Sequence, residues 1–251
     1  YGDPAGDWRL RELVAAYLRS SRGLTCTPEQ VLITCGSQQA ISLCAQLLLQ
    51  AGERVAIENP GYRAAGHAFA VAGARLCGVP VDDEGLDTAA LQALGTCRLA
   101  YVTPSHQYPT GVTLSLARRL ELLAWAERHD AWVIEDDYDG EYRYRGVPLA
   151  PLATLDRSGR VLYVGTFCKI AFPALRLGYL VLPPELVEPF AQRRALDMRH
   201  SEIGSQAVMA EFIAAGHFQR HVRRMREAAR IRRDALLQGW PQVPGCAPLP
   251  A

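Results

Sequence analysis

The chain is almost without lysine. Of its 27 Lys and Arg residues, only Lys169 is a lysine. Arg and Lys serve equally well as surface charge, but only an amine can lose its proton and attack a carbonyl. A single Lys among arginines therefore marks a position where an amine can act as a nucleophile. Net charge is also scarce: the formal value of +1 gives no general attraction to nucleic acid or to an anionic membrane. No apolar run approaches the roughly 20 residues that span a bilayer, and no secretory leader is visible, so no membrane partner and a cytoplasmic location are expected. The seven cysteines are odd in number and show no C-x-x-C spacing, which argues for reduced thiols and against a disulfide framework or a zinc site. His217 and His221 are four apart on a helical stretch but have no third ligand, so no metal is expected and both read as surface helix residues.

What is present is an ordinary globular composition, 49% hydrophobic and 21% charged over 251 residues, enough for one large domain and part of a second. Strand-like apolar runs alternate with helix-length amphipathic stretches. "DWRLRELVAAYLRSSRG" predicts a helix with Asp7 as N-cap and Gly23 beyond its end. "GSQQAISLCAQLLLQAG" predicts a second, opened by small polar residues and closed by Gly52. Strands are predicted in "RVAIENP", "ARLCGVPV", "CRLAYVTP", "AWVIEDD", "RVLYVGTF" and "LRLGYLVLP", with helices in "GYRAAGHAFAVAG", "DTAALQALG" and "LSLARRLELLAWAERHD". This alternation implies an α/β fold with a mostly parallel sheet flanked by helices. From Pro184 onward the pattern is helical, and its arginines at 220, 223, 224, 226, 230, 232 and 233 read as the solvated face of a long helix.

In a parallel sheet ligands sit beyond the carboxyl ends of the strands. Three such ends carry complementary chemistry. Lys169 offers an amine to an aldehyde. Asp136 offers a carboxylate that would hold a pyridine nitrogen protonated. Arg176, seven residues after the lysine, offers a bidentate fork for a phosphate, and Thr166 adds a hydroxyl. Gly36, Ser37 and Gln38 open a helix whose free N–H groups suit the same phosphate. Together these are the parts of a pyridoxal 5'-phosphate site.

"GTFCKIAFPALRLGYLVLP" resembles the lysine segment of fold-type-I aminotransferases, and most of all the aminotransferase-like domain of MocR-type regulators of the GntR superfamily. "TPSHQYPTG", "EDDYDGEYRY", "YGDPAGDWRLRELVAAYLRSSRGL", "ITCGSQQAI" and "ENPGY" fit the same group, so the resemblance covers nearly the whole chain. It implies the fold-type-I fold, with residues 1–215 as the cofactor-binding large domain. Residues 216–251 would be a linking helix and the start of a small domain. It also implies a winged-helix DNA-binding domain upstream, outside this sequence. Lys169 would be the internal-aldimine lysine, Asp136 the ring-nitrogen partner, Tyr138 the donor to the ring's 3-oxygen, and Tyr62 the stacking residue. Thr166, Arg176, Gly36, Ser37 and Gln38 would hold the phosphate, and Tyr1 would reach the phosphate of a neighbouring subunit in a homodimer.

Two residues depart from the aminotransferase pattern. Cys168 stands where Ser is usual and reads as a small packing residue. Tyr108 stands where ordinary aminotransferases carry an Asn to the cofactor oxygen. The Arg that grips a substrate carboxylate is expected beyond residue 251. Two functions follow from the resemblance: a domain that senses an amino acid or amine effector for a transcriptional regulator, or a working aminotransferase.

Overall fold

The computed structural model describes residues 2–142, 150–200 and 202–241. In chain order the elements are α1 (Trp8–Arg22), β1 (Val31–Thr34), α2 (Ser37–Leu48), β2 (Arg54–Asn59), α3 (Arg63–Val71) and β3 (Arg75–Asp82). Then come β4 (Gly85–Leu86), α4 (Thr88–Ala93), β5 (Leu99–Val102), α5 (Leu116–Arg128), β6 (Trp132–Asp137) and α6 (Leu152–Leu155). The rest is β7 (Val161–Thr166), β8 (Gly178–Val181), α7 (Pro184–Met198), α8 (Gly204–Ala214) and α9 (His217–Gln238). Asp7 caps α1 by accepting from the Leu10 N–H, and Gly23 closes it in the left-handed conformation, as its sequence predicts.

One eight-stranded sheet runs in the order β1-β8-β7-β6-β5-β2-β3-β4. The pairings from β7 through β6, β5 and β2 to β3 are parallel. β8 is antiparallel to both its neighbours, and β4 to β3. β1 therefore runs in the same direction as β7, and the carboxyl ends of β1, β2, β5, β6 and β7 open on one edge. β8 enters the sheet from that edge. β1 is not apparent in the sequence because four residues carry too little pattern.

Alternate residues of each strand face opposite layers. Tyr101, Trp132 and Ile134 pack into a core with α2, α3 and α7. Val133 and Tyr163 face the other side, under α5 and under α1, α8 and α9 respectively. Large side chains such as Phe69, Trp125 and Phe218 are wholly buried in these layers, each worth about 3–5 kcal/mol if cut to Ala. The alternation also distributes "EDD" at the end of β6: Asp136 follows Ile134 onto the α2 side, while Glu135 and Asp137 follow Val133.

Candidate functional site

The first corner of the site is where β1 ends, α2 begins and β8 starts. Gly36 has φ 82 and ψ 174, a backbone open to glycine, and a Cβ there would lie 3.4 Å from the Arg176 guanidinium. A Cβ on Gly178 would lie 2.9 Å from the backbone of Gly36, so the two chains pass too closely for any side chain. Arg176 itself sits in the left-handed region, φ 49, and donates from Nη2 to the Cys35 carbonyl at 2.8 Å. α1, α4 and α5 are capped by Asp7, Asp87 and Ser115, whereas no side chain caps α2. Its first-turn N–H groups, with Ser37 at their head, and the exposed Arg176 make an anion cradle. The Gln38 side chain also ties two helices together. Its Nε2 donates to the Ala64 carbonyl at 3.1 Å, tying α2 to α3, and its Oε1 is buried without a partner.

The second corner is Asp136, buried at the end of β6. Tyr101 on the adjacent strand donates its hydroxyl to Oδ2 at 2.6 Å, while Oδ1 has no partner. Loss of water pushes the carboxyl up to about 7; Asp137 and Asp139 push the same way, and Tyr101 and Lys169 partly oppose them. A buried acceptor left open, with its charge disfavoured, is suited to a cationic N–H donor such as a protonated pyridine ring.

The third corner is the turn after β7. Phe167 N–H donates to the Leu177 carbonyl at 3.0 Å and Ala171 N–H to the Phe167 carbonyl at 2.9 Å, closing a turn with Lys169 exposed on it. Thr166 is buried beneath; its hydroxyl donates to the Leu177 carbonyl at 3.4 Å and accepts from the Cys168 N–H at 3.2 Å. Cys168 is buried with its thiol toward the same carbonyl, as expected of a packing residue.

Aromatic residues form the rim. Tyr62 meets Tyr108 edge-on with centroids 5.6 Å apart, Tyr108 meets Tyr138 edge-on at 6.3 Å, and His106 stacks on Tyr138 at 6.1 Å. Burial raises the hydroxyl pKa of Tyr138, and the charges of Asp139 and Asp136 raise it further. His106 Nδ1 pairs with Asp139, which raises the imidazole pKa.

Several of these groups are not evident in the sequence. Glu58, at the end of β2, accepts from Thr103 through its N–H at 3.2 Å and hydroxyl at 2.7 Å, and from Gln107 Nε2 at 3.2 Å. Burial pushes its carboxyl up to about 7. It fixes the "TPSHQYPTG" loop that carries Tyr108. On the other face, Asp137 pairs with Arg22 at 2.8 Å and Glu141 with Arg22 at 3.1 Å, while Tyr17 donates to Glu141 at 2.7 Å. The available signal was Tyr101, a hydroxyl inside a wholly buried "LAYV" strand, which had to find an acceptor. His221 also differs from expectation: it is half-buried and bonded to the Ile170 carbonyl at 2.8 Å. Tyr1, residues 143 and 144 of "EDDYDGEYRY", and Cys246 lie outside the described residues. Among the described residues the cysteines are free, and no cluster of groups could hold a metal.

The class I and II aminotransferase family matches residues 1–245. The chain belongs to that family. Its curated relatives include the probable rhizopine catabolism regulatory protein MocR of Rhizobium meliloti, 43% identical over 221 residues. That alignment covers 88% of this chain and 45% of the relative. The regulator TauR of Rhodobacter capsulatus is 42% identical over 90% of this chain and 46% of its own. Among solved structures, a kynurenine aminotransferase of Pyrococcus horikoshii in complex with PMP superposes with a TM-score of 0.89 at 33% identity, covering 95% of this chain and 61% of that one. The chain thus spans about half the length of the regulators it resembles. Family membership carries pyridoxal 5'-phosphate as the cofactor, and the open Asp136 oxygen and the Gly36–Arg176 cradle fit its ring nitrogen and phosphate. The fold is that of the fold-type-I aminotransferases, with the mixed but mainly parallel sheet the sequence implies. No helix among the described residues is long and apolar enough to cross a membrane.

Proposed function

We infer that this chain is the effector-sensing part of a MocR-type transcriptional regulator of the GntR superfamily. The observation that carries the cofactor reading is Asp136: a buried carboxyl with one oxygen open and no ion-pair partner among the described residues. Tyr108 in place of the aminotransferase Asn, together with the MocR and TauR likeness, supports a sensor over an enzyme. The cofactor, when bound, supplies an aldehyde carbon that condenses with primary amines and a ring that withdraws electrons from them.

Around it each residue has a role. Lys169 would hold the cofactor through Nζ, where the amine of an amino acid or amine effector would compete with it. Asp136 accepts the ring N–H, Tyr138 donates to the 3-oxygen and Tyr62 covers the ring face. Arg176, Thr166 and the α2 N-terminus with Gly36, Ser37 and Gln38 bind the phosphate. In this reading residues 1–215 form the large domain and 216–251 lead into a small one. Tyr1 completes the site of a second copy in a homodimer, DNA is bound by a separate domain, and the protein works in the cytoplasm. A second reading, an aminotransferase, is favoured by the presence of both Lys169 and Asp136 and by the likeness to the Pyrococcus enzyme. There the freed Lys169 amine would carry a proton between substrate and ring.

Visible spectra of the loaded protein with a panel of amino acids separate the two. Band changes that reverse on removing the amino compound, without keto acid, support the sensor. Stoichiometric keto acid with conversion to the pyridoxamine form would establish the enzyme instead.

A further inference from the structure

Lys169 can work only if its turn presents Nζ in one place, and the turn's own carbonyls show what holds it. The Lys169 carbonyl accepts from the Tyr142 hydroxyl at 3.3 Å, and the next carbonyl, Ile170, accepts from His221 Nε2 at 2.8 Å. His221 lies on α9, five residues before Arg226, whose Nε donates to the Glu141 carbonyl. One helix thus grips both the lysine turn and the loop that follows Tyr138. One turn before His221, Phe218 packs on Phe167, two residues before the lysine, with centroids 5.6 Å apart.

The partners of His221 also set its tautomer. A backbone carbonyl only accepts and a guanidinium only donates. Nε2 faces the Ile170 carbonyl, and Nδ1 faces Arg224 Nη2 at 3.3 Å. The proton must therefore be on Nε2 and the lone pair on Nδ1. Arg224 orients the ring, as a partner on the far nitrogen does for histidines that ligate metals.

We propose that His221 is a positioning residue for Lys169, acting through the Ile170 carbonyl, and that it links the cofactor lysine to α9. This rests on the reading of Lys169 as the cofactor-bearing residue. Any movement of the lysine turn when an effector takes the cofactor then bears directly on α9, the last helix of the described chain.

The test compares His221→Leu, which cannot donate, with His221→Gln, which can, in the full-length, cofactor-loaded protein. Two readouts are taken: hydrogen–deuterium exchange of the segment around Lys169, and the rate at which bound cofactor is lost to a scavenging carbonyl reagent. The expected result is that H221L speeds both by about 2- to 10-fold, the value of one hydrogen bond, while H221Q stays near the parent. If H221L does not fold, His221→Asn, whose amide is too short to reach, replaces it with the same expectation. A cofactor-loss rate that H221L leaves unchanged overturns the proposal, whether or not exchange rises, because His221 would then be structural only. A parent protein that takes up no cofactor is a separate outcome: it removes the proposed function, and the positioning role falls with it.

Discussion

Glu135, Asp136 and Asp137 are three consecutive buried carboxylates at the end of one strand, and their surroundings differ. Glu135 accepts the Leu152 and Ala153 N–H groups, both at 2.9 Å, and pins the segment that returns to β7. Asp137 has the Arg22 guanidinium and the Tyr163 hydroxyl. Asp136, on the opposite face, has one tyrosine hydroxyl and an oxygen with no partner. Asp137 also has one oxygen without a partner, so the open atom alone does not distinguish them. The difference is the cation: Asp137 is paired with Arg22, whereas Asp136 has no ion pair among the described residues, which suits the ligand charge proposed for it. The same residue type is thus paired within the fold on one face of the sheet and, in the proposed reading, kept for the cofactor on the other.

The comparison can be broken most forcibly on the structural face. Arg22→Met leaves Asp137 and Glu141 buried without their shared cation. It should cost about 3–5 kcal/mol of stability in urea denaturation, with cofactor still bound by the folded fraction. Asp136→Asn should do the reverse. The cofactor-free protein stays folded and at least as stable as the parent near neutral pH, while cofactor affinity measured by absorbance titration falls about 10- to 100-fold, the value of a charged hydrogen bond. If D136N instead unfolds the protein and spares the affinity, the two faces have been assigned the wrong way round.

Tyr101→Phe removes the only donor to Asp136 among the described residues. It should weaken cofactor binding by about fivefold, the value of a single hydrogen bond. The remaining effect is in pH. The Asp136 carboxyl rises from 3.8 in the unfolded chain to about 7 in the fold, so the folded state holds a proton that the unfolded state has released. Stability of the cofactor-free protein should therefore fall as pH rises through that window, most steeply for the parent and less for D136N. Glu58 and Glu135, both pushed up to about 7 by burial, contribute slopes of the same sign that remain in the variant. Thermal melts across the window would read the difference.

Much of the site was legible because its parts lie at strand ends with residue types that have few other uses there. In the proposed reading Lys169, Asp136 and Arg176 each answer a different portion of one cofactor. Tyr101 and Asp136 are 35 positions apart, Glu58 and Thr103 are 45, and Arg22 and Asp137 are 115. Such pairs become visible only when the sheet order is known. β8 has the apolar composition of a parallel strand, and nothing in "GYLV" tells that it runs the other way. His221 looked like a surface residue since its partner is a backbone carbonyl, which no sequence pattern displays.

The chain's single lysine is proposed to bear the cofactor. Borohydride reduction of the protein loaded with added pyridoxal 5'-phosphate, followed by peptide mass mapping, tests it directly. A stable phosphopyridoxyl group is expected on the peptide containing Lys169 and nowhere else. A protein that shows no visible band with added cofactor and yields that peptide unmodified would contradict it.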